Sequence, residues 1–347
     1  MKKNTNMFAE RLTEFIVYCR RQRLATVIVA NEHNIRALTG VQCDSGILRI
    51  SPLTEKIIFH TDFRYIPMVH RVAPWLPAAD MRDFRIEGNR IGYESTISAK
   101  EYLRMKAMTK RASFIDISEE LYRLRSRKTP EEIAAIRAAE RLNDEIWQFA
   151  ARTFSPGMTE QAMARIIRHE MIERGDGEAF ETIVCIGKNA AECHHIPDQT
   201  KWNGKEPILV DMGVKLDGYC SDMTRNILPD RPSRFYLKAY EAVLEANRLA
   251  IAAARPGITG KELDAVARNY LGSAGFGSAF GHSLGHGVGL QIHEAPYASP
   301  RSLDVLEPGM LITIEPGVYF EDNCGIRIED LVLITEQGCE VLSSSPK

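Results

Sequence analysis

Apolar and polar positions along this chain change period several times. Residues 7–23 carry Phe8, Leu12, Phe15, Ile16 and Cys19 at helical spacing, which predicts an amphipathic helix. The apolar run 25–30 predicts a buried strand. Segments 46–50 and 56–60, split by a Ser-Pro turn, predict two more. Segments 90–93 and 113–117 add others, with a helix around residues 99–110 between them. Strands alternating with helices predict an α/β domain over residues 1–125. Its histidines, His33, His60 and His70, are isolated in sequence and read as structural or surface residues.

The motif SRKTPEE, starting at Ser126, marks a boundary, so residues 126–347 form a second domain. Thr129 can cap a helix, Pro130 suits its first position, and Glu131 and Glu132 complement its dipole. A helix over 131–154 follows, then Pro156-Gly157-Met158-Thr159 and a second helix to about residue 174. One hundred residues on, Pro256-Gly257-Ile258-Thr259 again separates two predicted helices, 234–254 and 261–272. That spacing is too long for a solenoid. It predicts a duplicated helix-plus-sheet unit whose copies pack around one site.

Each copy runs on into strands that bear acids. In residues 208–227, ILVDMGVKLDGYCSDMTRNI, the pair Asp217-Gly218 predicts a hairpin turn. That turn puts Asp211 and Asp222 opposite each other, or within one residue. Facing like charges among apolar neighbours are unfavourable unless solvent or a cation relieves them. In the second copy, residues 281–296 read GHSLGHGVGLQIHEAP, placing His282, His286 and His293 among four glycines. Neither a phosphate-loop fingerprint nor HExxH fits this segment. Glu315 closes the apolar strand LITI, and Glu329 is read as lying inside a strand, between Ile328 and Leu331. An acid in such a setting is rarely buried unless it is paired or ligating.

Two Asp, two Glu and one His make an oxygen-rich donor set with no thiolate. It suits Mn²⁺, with Co²⁺ or Zn²⁺ as alternatives. Four carboxylates exceed the need of one catalytic zinc and suit two divalent ions. Such a pair acidifies a bridging water to hydroxide and polarises a carbonyl.

Composition narrows the setting. The 347 residues are 44% hydrophobic with a net charge of −2, as in a soluble globular protein. No apolar run approaches the roughly 18 residues of a membrane span. After Lys2 and Lys3 no apolar segment follows, so no signal peptide is expected. Seven cysteines without a CxxC pair predict reduced thiols in a cytoplasm. Residues 1–125 hold 21 Lys and Arg against 14 Asp and Glu, a net of +7, leaving 23 against 32, a net of −9, for the remainder. Basic residues in the first part are dispersed, which argues against nucleic acid. The asymmetry instead suggests a basic domain facing an acidic one, within a chain or across a homodimer.

In their contexts (VDMG, YCSDMTR, GHGVG, IEPGVY, IRIED), Asp211, Asp222, His286, Glu315 and Glu329 resemble the ligand pattern of the M24, or pita-bread, metallopeptidases. Residues 126–347 resemble that family's α+β catalytic domain with its internal pseudo-two-fold repeat. Residues 1–125, with NIRALTG and TDFRY, resemble its N-terminal domain. The similarity is to Xaa-Pro aminopeptidases and Xaa-Pro dipeptidases (prolidases), so it implies a peptide substrate with proline at the second position. It implies that Asp222 and Glu329 bridge two ions, that Asp211 completes one shell, and that His286 and Glu315 complete the other. His194 matches a substrate-contacting histidine, and His282 and His293 match two that hold substrate and shuttle protons. Arg327 matches an arginine behind the ligands. Many microbial prolidases carry a carboxylate-reading arginine directly after the HExP segment; here Tyr297 stands there, and the resemblance offers Arg301, where some prolidases place one, as a substitute, which leaves dipeptidase and aminopeptidase activity both open. Family members often pair as homodimers, and here the basic domain of one chain is expected to help close its partner's site. Two other readings remain: a metal-dependent enzyme of this fold with a non-peptide substrate, and a catalytically silent binding module. Retention of all five ligands argues against the second.

Overall fold

A computed structural model describes residues 4–109 and 111–347. Lys2, Lys3 and Lys110, the last being the expected end of a helix, lie outside the described residues. The chain divides into two compact units, Met1–Arg125 and Ser126–Lys347.

The first unit holds helices α1 (Asn4–Arg21), α2 (Glu32–Thr39), α3 (Ile66–Val72), α4 (Ala99–Met108) and α5 (Ser118–Ser126). Its strands are β1 (Thr26–Val29), β2 (Ile47–Ser51), β3 (Lys56–Thr61), β4 (Ala78–Asp80), β5 (Arg90–Tyr93) and β6 (Ser113–Asp116). They form one mixed sheet in the order β4-β3-β2-β1-β5-β6. β1 is buried along its whole length, because apolar clusters cover both of its faces. On one side Leu12, Phe15, Ile16 and Cys19 of α1 pack with Val27 and Val29; on the other Ile28 meets Phe84, Ile91 and Met105. The short helix α2 was not legible as apolar periodicity. Its signals are terminal: the Asn31 side chain caps its start, and Gly40 at φ 78° ends it.

The second unit is the duplicated one. Its first copy has α6 (Pro130–Thr153), α7 (Glu160–Arg174), β7 (Ile183–Ile186), β8 (Ile208–Met212), β9 (Lys215–Leu216), β10 (Tyr219–Cys220) and β11 (Met223–Ile227). Its second has α8 (Arg234–Ala253), α9 (Gly260–Ser273), β12 (Gly285–Gly287), β13 (Glu294–Ala298), β14 (Leu311–Ile314), β15 (Gly317–Phe320), β16 (Cys324–Arg327), β17 (Asp330–Ile334) and β18 (Cys339–Val341). The sequence repeat is a structural one. Thr159 and Thr259 both cap the second helix of their copy. Gly157 N–H donates to Trp202 O at 2.7 Å, and Gly257 N–H to Leu306 O at 2.8 Å. Asn143 Nδ2 donates from α6 to Met212 O at 3.0 Å; Asn247 Nδ2 donates from α8 to Ile314 O at 2.9 Å. Both carbonyls belong to residues flanking a candidate acid, Asp211 or Glu315. At the domain entrance Thr129 and Glu132 form a reciprocal cap, and Pro130 is the first helical residue.

Two local expectations need correction. Asp211 pairs with Thr224, not with Asp222 or its neighbour. The reason is the turn: Asp217 (φ 48°) and Gly218 (φ 70°) are both left-handed, so a two-residue turn centres the hairpin between them. Asp211 and Asp222 are then two positions out of register. Glu329 does not lie inside a strand. The apolar run around it is cut into β16, which pairs with β15, and β17, which pairs with β14, and Glu329 occupies the crossover. Glu315 occupies the matching break between β14 and β15.

Candidate metal centre

The sheets bring Asp211, Asp222, His286, Glu315 and Glu329 to the wall of one cavity of about 450 Å³. His194, His282, His293 and Arg327 line it too. Arg301 does not: it is exposed and absent from that wall, as is Tyr297, whose N–H is held by Asp304 at 2.8 Å.

Asp211 projects from β8. Its Oδ2 accepts from Arg327 Nη2 at 2.6 Å, while Oδ1 is buried with no hydrogen-bond partner. Asp222 precedes β11 and is 4% exposed. Its Oδ2 lies 3.6 Å from His286 Nε2, and Glu315 Oε1 lies 3.2 Å from the same nitrogen. Glu329 Oε2 accepts from Thr224 Oγ1 at 2.7 Å. Asp222, His286 and Glu329 each offer a ligand atom within 4.8 Å of the others.

Local chemistry aims the imidazole. His286 N–H donates to Thr313 Oγ1 at 3.0 Å, and Nδ1 sits 3.2 Å from Gly287 O. Since that carbonyl can only accept, Nδ1 carries the hydrogen and Nε2 turns inward. Gly285 is required because an added Cβ would lie 1.9 Å from Thr313 O. Behind the loop, Asp264 on α9 accepts from Leu284 N at 3.1 Å, and Arg268 donates to His282 O at 2.7 Å.

Burial, then repulsion from Glu329, Asp211 and Glu315, pushes the Asp222 carboxyl well above its ordinary value. Burial and repulsion from Glu315 and Asp211 do the same to Glu329. Burial acts on Glu315 in the same sense, but His286, His282 and Arg327 outweigh it and hold Glu315 at about 2. Four sequestered carboxylates, an orphaned Asp211 oxygen and an imidazole nitrogen aimed at two carboxylate oxygens form an arrangement that a divalent cation between them would satisfy. The donor set therefore fits the metal expected from the sequence.

A second acidic group, Glu160, His195 and Asp198, also clusters closely. It is a poor cation site. Glu160 Oε1 accepts from Ile186 N at 2.6 Å and Asn189 Nδ2 at 2.9 Å; Oε2 meets His195 Nε2 at 2.8 Å and Asp198 N at 3.0 Å. Its acceptor capacity is used.

Sequence reasoning missed three supports. Tyr319 OH lies 2.9 Å from His282 Nε2 and 2.9 Å from Arg327 Nη1. His282 Nδ1 is 2.8 Å from Ser283 O, so Nδ1 bears the hydrogen and Nε2 accepts from the tyrosine. Arg225, fully buried, donates to Thr224 O, to Glu329 O and to Asp330 Oδ1, fixing the backbone at the Glu329 crossover. Glu140 on α6 accepts from Asp222 N at 3.2 Å and Ser343 Oγ at 2.6 Å. In sequence Arg225 shows only as a charged residue inside a predicted strand, and Tyr319 and Glu140 carry no local signal.

Residues 134–336 match the sequence pattern of metallopeptidase family M24, and residues 11–127 match the creatinase/prolidase N-terminal domain. An uncharacterized peptidase of Bacillus subtilis, YqhT, is 33% identical over 335 residues, covering 92% of this chain and 94% of that protein. The prolidase from Pyrococcus furiosus superposes with a TM-score of 0.90 at 31% identity, over 96% of this chain and 100% of that one. The X-Pro aminopeptidase of Thermotoga maritima superposes with a TM-score of 0.83 at 30% identity, over 94% and 98%.

Proposed function

The chain belongs to metallopeptidase family M24, and we propose that it is a dinuclear-metal-dependent exopeptidase that hydrolyses the bond between an N-terminal residue and a following proline. The observation that carries this reading is the convergence of Asp211, Asp222, His286, Glu315 and Glu329 on one cavity, with an unpartnered Asp211 oxygen. Prolidase and X-Pro aminopeptidase neighbours support the substrate class. The Xaa-Pro bond resists ordinary peptidases because proline fixes φ and lacks the N–H that strand-like substrate binding uses.

Asp222 and Glu329 would bridge two ions, Asp211 would serve one, and His286 and Glu315 the other; Mn²⁺ suits these donors best, then Co²⁺ or Zn²⁺. Bound there, the ions supply Lewis acidity toward the scissile carbonyl and an acidified water. Glu315, freed from His286 Nε2, is placed to take a proton. His282, fixed by Tyr319, and the exposed His194 and His293 hold the substrate and the developing charge on its carbonyl oxygen. Phe180, Ile196 and Ile292 offer apolar wall for the proline ring. Arg327 acts behind the site by orienting Asp211. Arg301 would have to move onto the wall to read a dipeptide carboxylate, so peptides longer than two residues are favoured.

A panel of Xaa-Pro and Xaa-Ala dipeptides and longer peptides tests the reading. Release of the first residue from Xaa-Pro substrates only is expected; equal cleavage of Xaa-Ala, or none of either, contradicts it. Among the described residues no helix is long and apolar enough to cross a membrane. We place the protein in the cytoplasm as a homodimer, on its cysteine usage and on the +7 and −9 charge split. Light scattering across a salt series checks the dimer. Charge-driven association weakens as salt shortens screening below about 8 Å; a fully active monomer at every concentration refutes it.

A further inference from the structure

The saturated carboxylate Glu160 has no place in the metal chemistry, yet it sits beneath the segment that brings His194 to the cavity. Glu160 is the first residue of α7 and is 0% exposed. Its four partners come from three separate parts of the connection between β7 and β8: the end of β7, the turn at Asn189, and His195 and Asp198. Backbone N–H groups and an amide Nδ2 can only donate, so the carboxylate accepts from all of them and His195 Nε2 must carry a hydrogen. Nδ1 of the same ring is 3.2 Å from Glu192 Oε2 at the surface. Both adjacent histidines line the cavity, but His195 is tied to Glu160 while His194 is left exposed.

The second copy of the repeat shows that this arrangement is not demanded by the scaffold. Glu160 N–H donates to Thr200 O at 3.1 Å, and its counterpart Gly260 N–H to Asp304 O at 2.8 Å. At Gly260 a side chain is excluded: a Cβ would meet Tyr297 O at 2.0 Å. Matching backbone positions thus carry a buried carboxylate in one copy and no side chain in the other. We propose that Glu160 and His195 form a clamp that positions residues 193–197, and with them His194 and Ile196, against the bound peptide. His195 is a positioning residue in this role, and the proposal rests on the peptidase reading for what His194 touches.

Hydrogen exchange over residues 187–200, metal content, and KM and kcat on an Xaa-Pro peptide, all on the full chain, test it with His195→Ala and His195→Gln. Glutamine can place an amide hydrogen where Nε2–H lies. With His195→Ala, exchange in the segment is expected to rise about ten-fold. KM should rise about ten-fold with a smaller change in kcat. Metal content should not change, and His195→Gln should restore most of both losses. Unchanged exchange in His195→Ala, or a glutamine variant as impaired as the alanine one, overturns the clamp. If the wild type cleaves no Xaa-Pro peptide, the substrate reading fails, while the exchange comparison still decides whether the clamp exists.

Discussion

Neutralising Asp222 should make the metal-free protein more stable while removing its response to metal. Asp222 is buried, and its ligand oxygen lies within 4.8 Å of one from Glu329. At an effective dielectric of about 20, two unit charges so placed repel by roughly 3 kcal/mol. His286, 3.6 Å from Asp222 Oδ2, offsets part of this. The upward pKa displacement, from burial and then from Glu329, Asp211 and Glu315, fixes the direction of the balance. A carboxyl raised on folding contributes stability at low pH that is lost as pH rises through its folded value, so the cost grows with pH. Asp222→Asn keeps the shape and should gain about 1–2 kcal/mol without metal, or about 2–4 °C per kcal/mol in melting temperature for a domain of 150–250 residues. With metal the order reverses. A ligand at a thousand times its Kd stabilises by about 4 kcal/mol, a gain open to the wild type and closed to the variant. Melting curves of both proteins in chelator and in excess Mn²⁺ measure the crossover. An Asp222→Asn protein that melts lower in chelator, or rises with Mn²⁺ as much as the wild type, would falsify the repulsive-cluster argument.

Removing the Tyr319 hydroxyl leaves His282 Nε2 without its donor and Arg327 Nη1 with only the long 3.5 Å bond to Cys193 O. Tyr319→Phe should lower kcat/KM about ten- to a hundred-fold, as expected for 1–3 kcal/mol of lost hydrogen bonding, with metal content kept. Loss of metal in parallel with activity would move Tyr319 into the ligand-supporting group instead. Burial pushes the Cys19 thiol up to about 12. At pH 8 its thiolate fraction is then about one in ten thousand, so iodoacetamide should label Cys19 only after unfolding. Peptide mapping that finds rapid native labelling there contradicts the packing of α1.

Much of the architecture was legible because local chemistry and apolar period agreed. The Thr129 cap, the two Pro-Gly-x-Thr turns and the buried run at β1 are short-range signals, and each became the element it predicted. The hairpin register was not, since it depends on both turn residues adopting positive φ. The Glu329 crossover was hidden for a related reason: an unbroken apolar run carries no mark of where a chain leaves one partner strand for another. Glu315 and Glu329 were visible as acids among apolar residues, and His286 as one of three histidines among four glycines. Tyr319, Arg225 and Glu140 were not, because their roles arise from contacts between residues far apart in sequence, such as Arg225 with Glu329 or Glu140 with Ser343. The resemblance singled out His194 of the His194-His195 doublet, but what His195 does emerges only from its inward bond to Glu160, a residue far away in sequence.

The central claim is that five side chains hold two ions needed for Xaa-Pro hydrolysis. Its most direct test is a metal titration of chelator-treated protein, with bound metal counted by elemental analysis and turnover of an Xaa-Pro peptide read at each step. Turnover that is absent at first and returns as occupancy approaches two divalent ions per chain, most strongly with Mn²⁺ or Co²⁺, is the predicted result. Full turnover with no metal bound, or saturation at two ions with no turnover for any divalent metal, would contradict it.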